Sequence, residues 1–223
     1  ALDQSNGGDG IVATPEIQNI RDLKGKKVAY QKGQPSQLFL HAALKSEGLG
    51  FEDIEPVLLD ADKAGSAFIA GQLDAAVTWE PWLTKAGQAG KGNILMDSRK
   101  TPGLIVDILY ANEKALSERN KDFEALIKSW YEAVEFTLNY PEEAEAIITK
   151  AFNLDQENVN LIFSKVRFLG KSDNINAFGT PEHEGSLYLR YHEIAETWLE
   201  EGVIKKPSTP NEGLMPGFVR SSR

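Results

Sequence analysis

Two tryptophans flank a carboxylate in DAAVTWEPW (74–82), just after a run that reads as a buried strand. Indoles gain from burial, whereas a glutamate beside them gains nothing unless something pairs with it. In open α/β sheets ligands bind at the carboxyl ends of strands, and there an aromatic beside an acid, Trp79 with Glu80, is a pair that holds a cationic or zwitterionic group. Trp82, on the following helix, is equally well explained as a core tryptophan. A second group is KGQPS (32–36), which joins a strand to a helix and places Ser36 at an N-cap position. Backbone N–H groups and a hydroxyl at a helix start form a ready anion site, with Gln34 beside them. A serine there also serves simply to cap its own helix. SNGGDG (5–10) reads either as a tight turn exploiting glycine or as a site edge where Asn6 presents hydrogen-bonding groups. Asp107 interrupts the apolar GLIVDILYA and by alternation shares a face with Ile105 and Leu109, so it lies at a sheet edge or faces a cleft.

Other chemistry is missing from the chain. It has no G-x-S-x-G elbow, no GxxxxGK[ST] loop and no H-E-x-x-H. His41, His183 and His192 stand far apart and suggest surface or packing roles rather than a metal site, and no cofactor is expected. With no cysteine there is neither a disulfide framework nor a thiolate nucleophile, which suits a protein outside the cytoplasm. The net charge of −9, without any basic stripe, argues against a nucleic-acid partner. No apolar run is long enough to span a bilayer. The chain starts at Ala1 without a methionine, so the expectation is a removed signal peptide or a piece of something longer.

The elements that must position these residues come in two kinds. KKVAY, EPVLLD, DAAVTWE and NILMDS read as strands, separated by the amphipathic stretches SQLFLHAALKSEG, ADKAGSAFIAGQ (capped by Asp60) and PWLTKAGQAG. This alternation predicts a mainly parallel α/β sheet, with DGIVA and GLIVDILYA as entry and exit strands. Beyond residue 112 the pattern turns helical. KDFEALIKSWYEAVEFTLN, PEEAEAIITKAF with Pro141 in its first turn, and DQENVNLIFSKVRF with Asp155 as N-cap are followed by a Gly-, Asn- and Asp-rich loop. SLYLRYHEIAETWLEEG forms a last helix and KKPSTPNEGLMPGFVRSSR an irregular tail. The helices carry apolar faces, yet no strands follow to cover them.

The collinear segments LDQSNGGDGIVA, DLKGKKVAYQKGQPSQLFL, AFIAGQLDAAVTWEPWLTKA, TPGLIVDIL and WLEEGVIKKP resemble the substrate-binding proteins of ABC importers in the nitrate, sulfonate and taurine group. The resemblance implies an α/β, two-lobed periplasmic-binding-protein type II fold with the ligand closed between lobes. It places a crossover segment at 1–9, the second lobe at 10–106, a return strand at 107–111 and the helical C-terminal part of the first lobe at 112–223. It also implies that the opening part of lobe one is missing, leaving Phe123, Trp130, Phe136, Phe163 and Trp198 on an apolar patch covered by another chain, a symmetric copy or rearranged helices.

The function so implied is non-catalytic: binding a small anionic or zwitterionic solute, taurine or an aliphatic sulfonate, and passing it to a membrane permease from the periplasm or a lipid anchor. Glu80 would face the amine end of the solute with Trp79 packed on it, Gln34 and Ser36 would take the anionic end, and Asn6 and Asp107 would complete the site. Three alternatives stand beside it. One is a thiamine-pyrimidine binding or synthesis protein of the same fold, whose cysteine-rich segment and active-site histidines find no match here. The others are the effector domain of a transcription regulator and a truncated lobe without ligand.

Overall fold

A computed structural model describes residues 1–180 and 183–221. The elements in chain order begin with β1 (Asp3–Ser5), β2 (Asp9–Ala13), β3 (Lys27–Tyr30), α1 (Pro35–Ser46), β4 (Glu55–Leu58) and α2 (Ala61–Ile69). Next come β5 (Ala75–Trp79), α3 (Trp82–Gln88), β6 (Asn93–Asp97) and β7 (Val106–Asp107). The second half holds α4 (Glu113–Glu118), α5 (Asn120–Asn139), α6 (Pro141–Phe152), α7 (Gln156–Lys165), β8 (Val166–Phe168), α8 (Lys171–Phe178), α9 (Ser186–Glu200), α10 (Pro210–Gly213) and α11 (Pro216–Ser221).

These elements form two compact units. The α/β unit comprises Ser5–Ile105 and Leu161–Val166; the helical unit comprises Ala1–Gln4, Val106–Asn160 and the described residues from Arg167 on. The α/β unit thus begins at Ser5, inside the stretch expected to be a crossover, and recruits the end of α7 from the region expected to be wholly helical.

In the α/β unit the sheet order is β4-β3-β5-β2-β6. β3 runs parallel to β4 and β5, but β2 is antiparallel to both β5 and β6, so the sheet is mixed, with its entry strand reversed. One face packs Val12, Ala29 and Ala76 against Ala64, Phe68, Leu83 and Ala86 of α2 and α3. The alternate residues Ile11, Val28 and Val77 are equally buried and point to the other face, where α1 contributes Phe39 and Leu40. Removing side chains of this size from water is the main source of the unit's stability, at roughly 25 cal/mol per Å² of apolar surface.

Gly65 sets the fit of α2 on α3. A Cβ there would lie 2.6 Å from Trp82 Cβ and 2.8 Å from Thr78 Oγ1, so only glycine lets Trp82 close on the helix. Asp60 stands at the N-cap of α2 but makes no capping bond; its carboxylate accepts from Lys63 Nζ at 2.6 Å instead.

The helical unit has a three-stranded sheet, β7-β1-β8, in which Asp3 pairs with Asp107 and Gln4 with Val106. The exit strand is shorter than the alternation implied, because only Val106–Asp107 pairs. Asp3 and Asp107 oppose each other in register, a destabilising arrangement for like charges. Burial, together with the Asp107 charge, raises the Asp3 carboxyl to about 6.

The five aromatic residues expected on an open patch are half-buried. Phe123 meets Phe218 edge-on at 6.5 Å, Trp130 meets Phe168 at 6.3 Å, and Phe136 stacks near Tyr140 at 5.3 Å. Phe163 lies in the segment that packs with the α/β unit. Different residues carry the exposure, Leu138, Ile147, Phe152 and Leu189 among them. A cavity of about 320 Å³ opens between Leu126, Trp130, Tyr131, Leu214 and Phe218.

Three local expectations change. The run expected to be helical through Phe168 stops at Lys165 and becomes β8. The Gly-, Asn- and Asp-rich loop contains α8, started by Gly170, whose N–H donates to Asp173 Oδ2 at 3.0 Å. The tail forms α10 and α11, the first opened by the Thr209 N–H donating to Glu212 Oε2 at 2.8 Å with Pro210 in the first turn. Asp155 caps α7 as expected, accepting from the Asn158 N–H at 2.7 Å.

Candidate functional site at the carboxyl edge of the α/β sheet

Strands β3, β4, β5 and β6 all end at one edge of the α/β sheet, and β2 begins there, with Asp9 opposite Trp79 and Gly10 opposite Asp97. The starts of α1, α2 and α3 therefore gather at this edge, as does the Ser5–Asp9 turn.

Trp79 ends β5 with 41% of its surface exposed. Its Nε1–H donates to Asp62 Oδ1 at 2.6 Å, and Trp82 Nε1–H reaches the same oxygen at 3.2 Å. Asp62, in the first turn of α2, thus fixes both indoles and leaves a face of Trp79 open to solvent. Lys85 Nζ lies 4.9 Å from the Trp82 ring centre, a cation–π contact.

Glu80 faces inward. Its side chain is 7% exposed. One oxygen accepts the Thr84 N–H and the other the Thr84 hydroxyl, each at 3.0 Å. The carboxylate therefore serves the first turn of α3, where negative charge is favoured. Lys165 Nζ stands 3.8 Å from Glu80 Oε1 and is the nearest counter-charge. Each Glu80 oxygen thus already accepts one hydrogen bond inside the unit, and a solute amine would share the carboxylate with Thr84 and Lys165.

The α1 start also differs from expectation. Gln34, not Ser36, is the N-cap; its side chain makes no capping bond and is exposed. Ser36 is buried, and its hydroxyl accepts the Gln31 N–H at 2.9 Å and donates back to the Gln31 carbonyl at 3.3 Å. Pro35 occupies the first helical turn and has no N–H to offer. Gln37, which sequence reasoning did not single out, accepts the Gly33 N–H at 2.7 Å through Oε1. The loop is closed on itself, and the Ser36 hydroxyl is spent on holding it.

The Ser5–Asp9 turn is similarly locked. The Gly7 N–H donates to Ser98 Oγ at 2.7 Å, Ser5 Oγ lies 2.7 Å from Ser98 Oγ, and the Glu80 N–H donates to the Gly8 carbonyl at 2.8 Å. Gly7 has φ +99°, a conformation that favours glycine. The Asn6 N–H donates to the Lys165 carbonyl at 2.8 Å, and the residue is exposed. Arg99 is clamped by Asp97, with Nη2 at 2.5 Å from Oδ2 and Nε at 3.0 Å from Oδ1. The hydrogen bond from Arg99 holds the Asp97 carboxyl below the usual carboxylate range against the opposing effect of burial, with help from the Lys165 charge.

The α/β unit thus brings Asn6, Gln34, Ser36, Trp79 and Glu80 to one edge. Asp107 lies in the helical unit, exposed on the edge strand β7. Asp62, Arg99 and Lys165 were missed. An aspartate in the first turn after a strand was a readable signal for Asp62, and a basic residue just after β6 was one for Arg99. Nothing local marks Lys165.

Residues 7–144, more than half of the chain, match the family model described as NMT1/THI5 like. The chain belongs to the NMT1/THI5-like family. Among its relatives is an Escherichia coli (strain K12) protein named for aliphatic-sulfonate binding, 33% identical over 145 residues, which are 65% of this chain and 45% of that protein. The chain therefore spans under half the length of this relative. Among solved structures, the periplasmic aliphatic sulphonate-binding protein SsuA of Escherichia coli superposes with a TM-score of 0.75 at 22% identity, covering 96% of this chain and 68% of that one. The alkanesulfonate-binding protein SsuA of Xanthomonas axonopodis pv. citri, bound to MOPS, gives a TM-score of 0.71 at 18% identity over 95% of this chain and 71% of that one. The fold is that of the type II periplasmic binding proteins, and the family includes substrate-binding proteins of the nitrate, sulfonate and taurine type. Among the described residues no helix is long and apolar enough to cross a membrane.

Proposed function

We propose that this chain is the solute-binding component of an ABC importer, working outside the cytoplasmic membrane, and that its solute is an aliphatic sulfonate received at the carboxyl edge of the α/β sheet. The observation that carries the reading is Trp79, whose indole is pinned by Asp62 and keeps an open apolar face at that edge. A pinned ring loses little entropy on binding, so an alkyl chain laid on it gains contact at low cost. The names of the sulfonate-binding relatives favour the same solute class. Because Glu80 is buried, with each oxygen accepting from Thr84 and Lys165 beside it, a solute amine would compete with these partners, and the reading prefers an alkanesulfonate over taurine. The role is binding and delivery to a membrane permease, without chemistry on the solute.

The test is thermal unfolding of the chain with pentanesulfonate, taurine, nitrate, bicarbonate and a hydroxymethylpyrimidine, because a ligand specific to the folded state raises the midpoint. Pentanesulfonate is expected to give the largest shift. A larger shift with taurine would restore an amine-binding group, a shift with the pyrimidine alone would move the protein to that solute class, and no shift with any sulfonate would overturn the reading.

A further inference from the structure

Lys165 reaches the candidate edge from far along the chain, as the last residue of α7. Its backbone carbonyl accepts the Asn6 N–H at 2.8 Å. Its side chain runs past the glycine turn so closely that a Cβ on Gly7 would lie 3.3 Å from Lys165 Cδ and 3.3 Å from Arg99 Nε. The stem is thus held between the turn and the sheet edge, and the side chain is 24% exposed.

The ammonium ends without a hydrogen bond. Glu80 Oε1, at 3.8 Å, is close enough for charge attraction but too far for a hydrogen bond, and both Glu80 oxygens already accept from Thr84. Among the described residues no oxygen lies within hydrogen-bonding distance of Nζ. Lysine carries three donors, and with the side chain 24% exposed these remain open to an acceptor arriving from solvent. Arg99, the neighbouring cation beside the glycine turn, is in the opposite state, with donors spent on both oxygens of Asp97. Of the two cations beside the glycine turn, Arg99 is satisfied and Lys165 is poised.

We infer that Lys165 is the residue that receives the anionic headgroup of the solute, and that Glu80 is a positioning residue that holds the ammonium at the edge through charge while serving the start of α3. The inference rests on the reading that this edge binds a sulfonate. A sulfonate supplies three acceptor oxygens and one negative charge, which match the three donors and the positive charge of Lys165, while Trp79 offers the wall for the chain. Glu80 is then not a solute ligand itself.

The test is calorimetric titration of pentanesulfonate into the parent chain and into Lys165→Met, Lys165→Arg, Glu80→Gln and Arg99→Met, with unliganded thermal midpoints as a check on folding. Lys165→Met should weaken binding by roughly 30-fold or more, as expected for loss of a charge-assisted contact, and Lys165→Arg should recover about half of that in logarithmic terms. Glu80→Gln should weaken it by about 3- to 10-fold, and Arg99→Met by less than about threefold. The apparent affinity of the parent should fall with added salt more steeply than that of Lys165→Met, a readout that a purely structural lysine would not move. If Lys165→Met fails to fold, Lys165→Gln, which keeps a polar tip, is held to the same expectation. Binding by a folded Lys165 variant within about threefold of the parent overturns the inference and leaves the sulfonate reading standing. Absence of sulfonate binding by the parent chain overturns both.

Discussion

In the α/β unit Ile11, Val12, Val28, Phe39 and Leu40 are wholly screened from solvent, whereas in the helical unit Leu138, Phe152 and Leu189 are 72%, 71% and 62% exposed. Both units consist of amphipathic elements, so hydrophobicity alone does not separate them. The sheet does. Five strands with helices on both faces give every apolar residue of β2, β3 and β5 a partner above or below. In the helical unit the strands of β7-β1-β8 are two or three residues long, and the 20-residue α5 buries only Val134 fully. A helix with one apolar stripe needs a surface as wide as itself to cover it. The lesson is that position within a layered core, rather than residue type, fixes how much a side chain contributes.

Mutations at matched leucines test this most strongly. Leu83→Ala, at a fully buried site of α3, should lower unfolding free energy by about 2–5 kcal/mol, while Leu126→Ala, half exposed on α5, should cost less than about 1 kcal/mol; urea denaturation of both variants checks the pair. Comparable losses would break the comparison. Gly65→Ala should cost about 1–3 kcal/mol by driving a methyl into Trp82 and Thr78, and it should shift tryptophan fluorescence in the folded protein.

A smaller effect distinguishes the helical unit by pH. Asp3 is raised in the fold from its ordinary value to about 6, so between roughly pH 4 and 6 the native state binds more protons than the unfolded one, and stability falls as pH rises through that window. The penalty is absent below the window and complete above it. Allowing for screening at a half-exposed site, Asp3→Asn should remove a pH-dependent loss of about 1 kcal/mol, read from thermal midpoints at pH 4.5 and 7.5. Ser36→Ala, which loses the Gln31 contacts, should cost about 1 kcal/mol or less and leave the helical unit untouched in amide exchange.

The strands and helices of the α/β unit were legible because period-two and period-3.6 patterns run long enough to identify themselves: Lys27–Tyr30 and Ala75–Trp79 fall where the apolar runs lie. Val166–Phe168 was not, since three residues after a helix carry no period of their own. The reversed direction of β2 was hidden for another reason: strand identity says nothing about which neighbour a strand will choose. At the candidate site, the sheet edge and Trp79 could be found from the order of strand, aromatic and proline. The partner of Glu80 could not, because a carboxylate next to a helix start satisfies itself locally with Thr84, and its counter-charge arrives on a different helix. Ser36 misled for a related reason, since Pro35 moved the cap back to Gln34.

The α/β unit is not one uninterrupted piece of chain, because Leu161–Val166 joins Ser5–Ile105 after the excursion through α4 to α6. A chimera that transplants residues 5–105 into a relative would carry the sheet, Trp79 and Glu80 but inherit whatever the host has at position 165. If Lys165 receives the headgroup while Trp79 walls the chain, neither the six-residue insert nor the hundred-residue block alone carries solute preference, and a graft meant to move specificity has to take both.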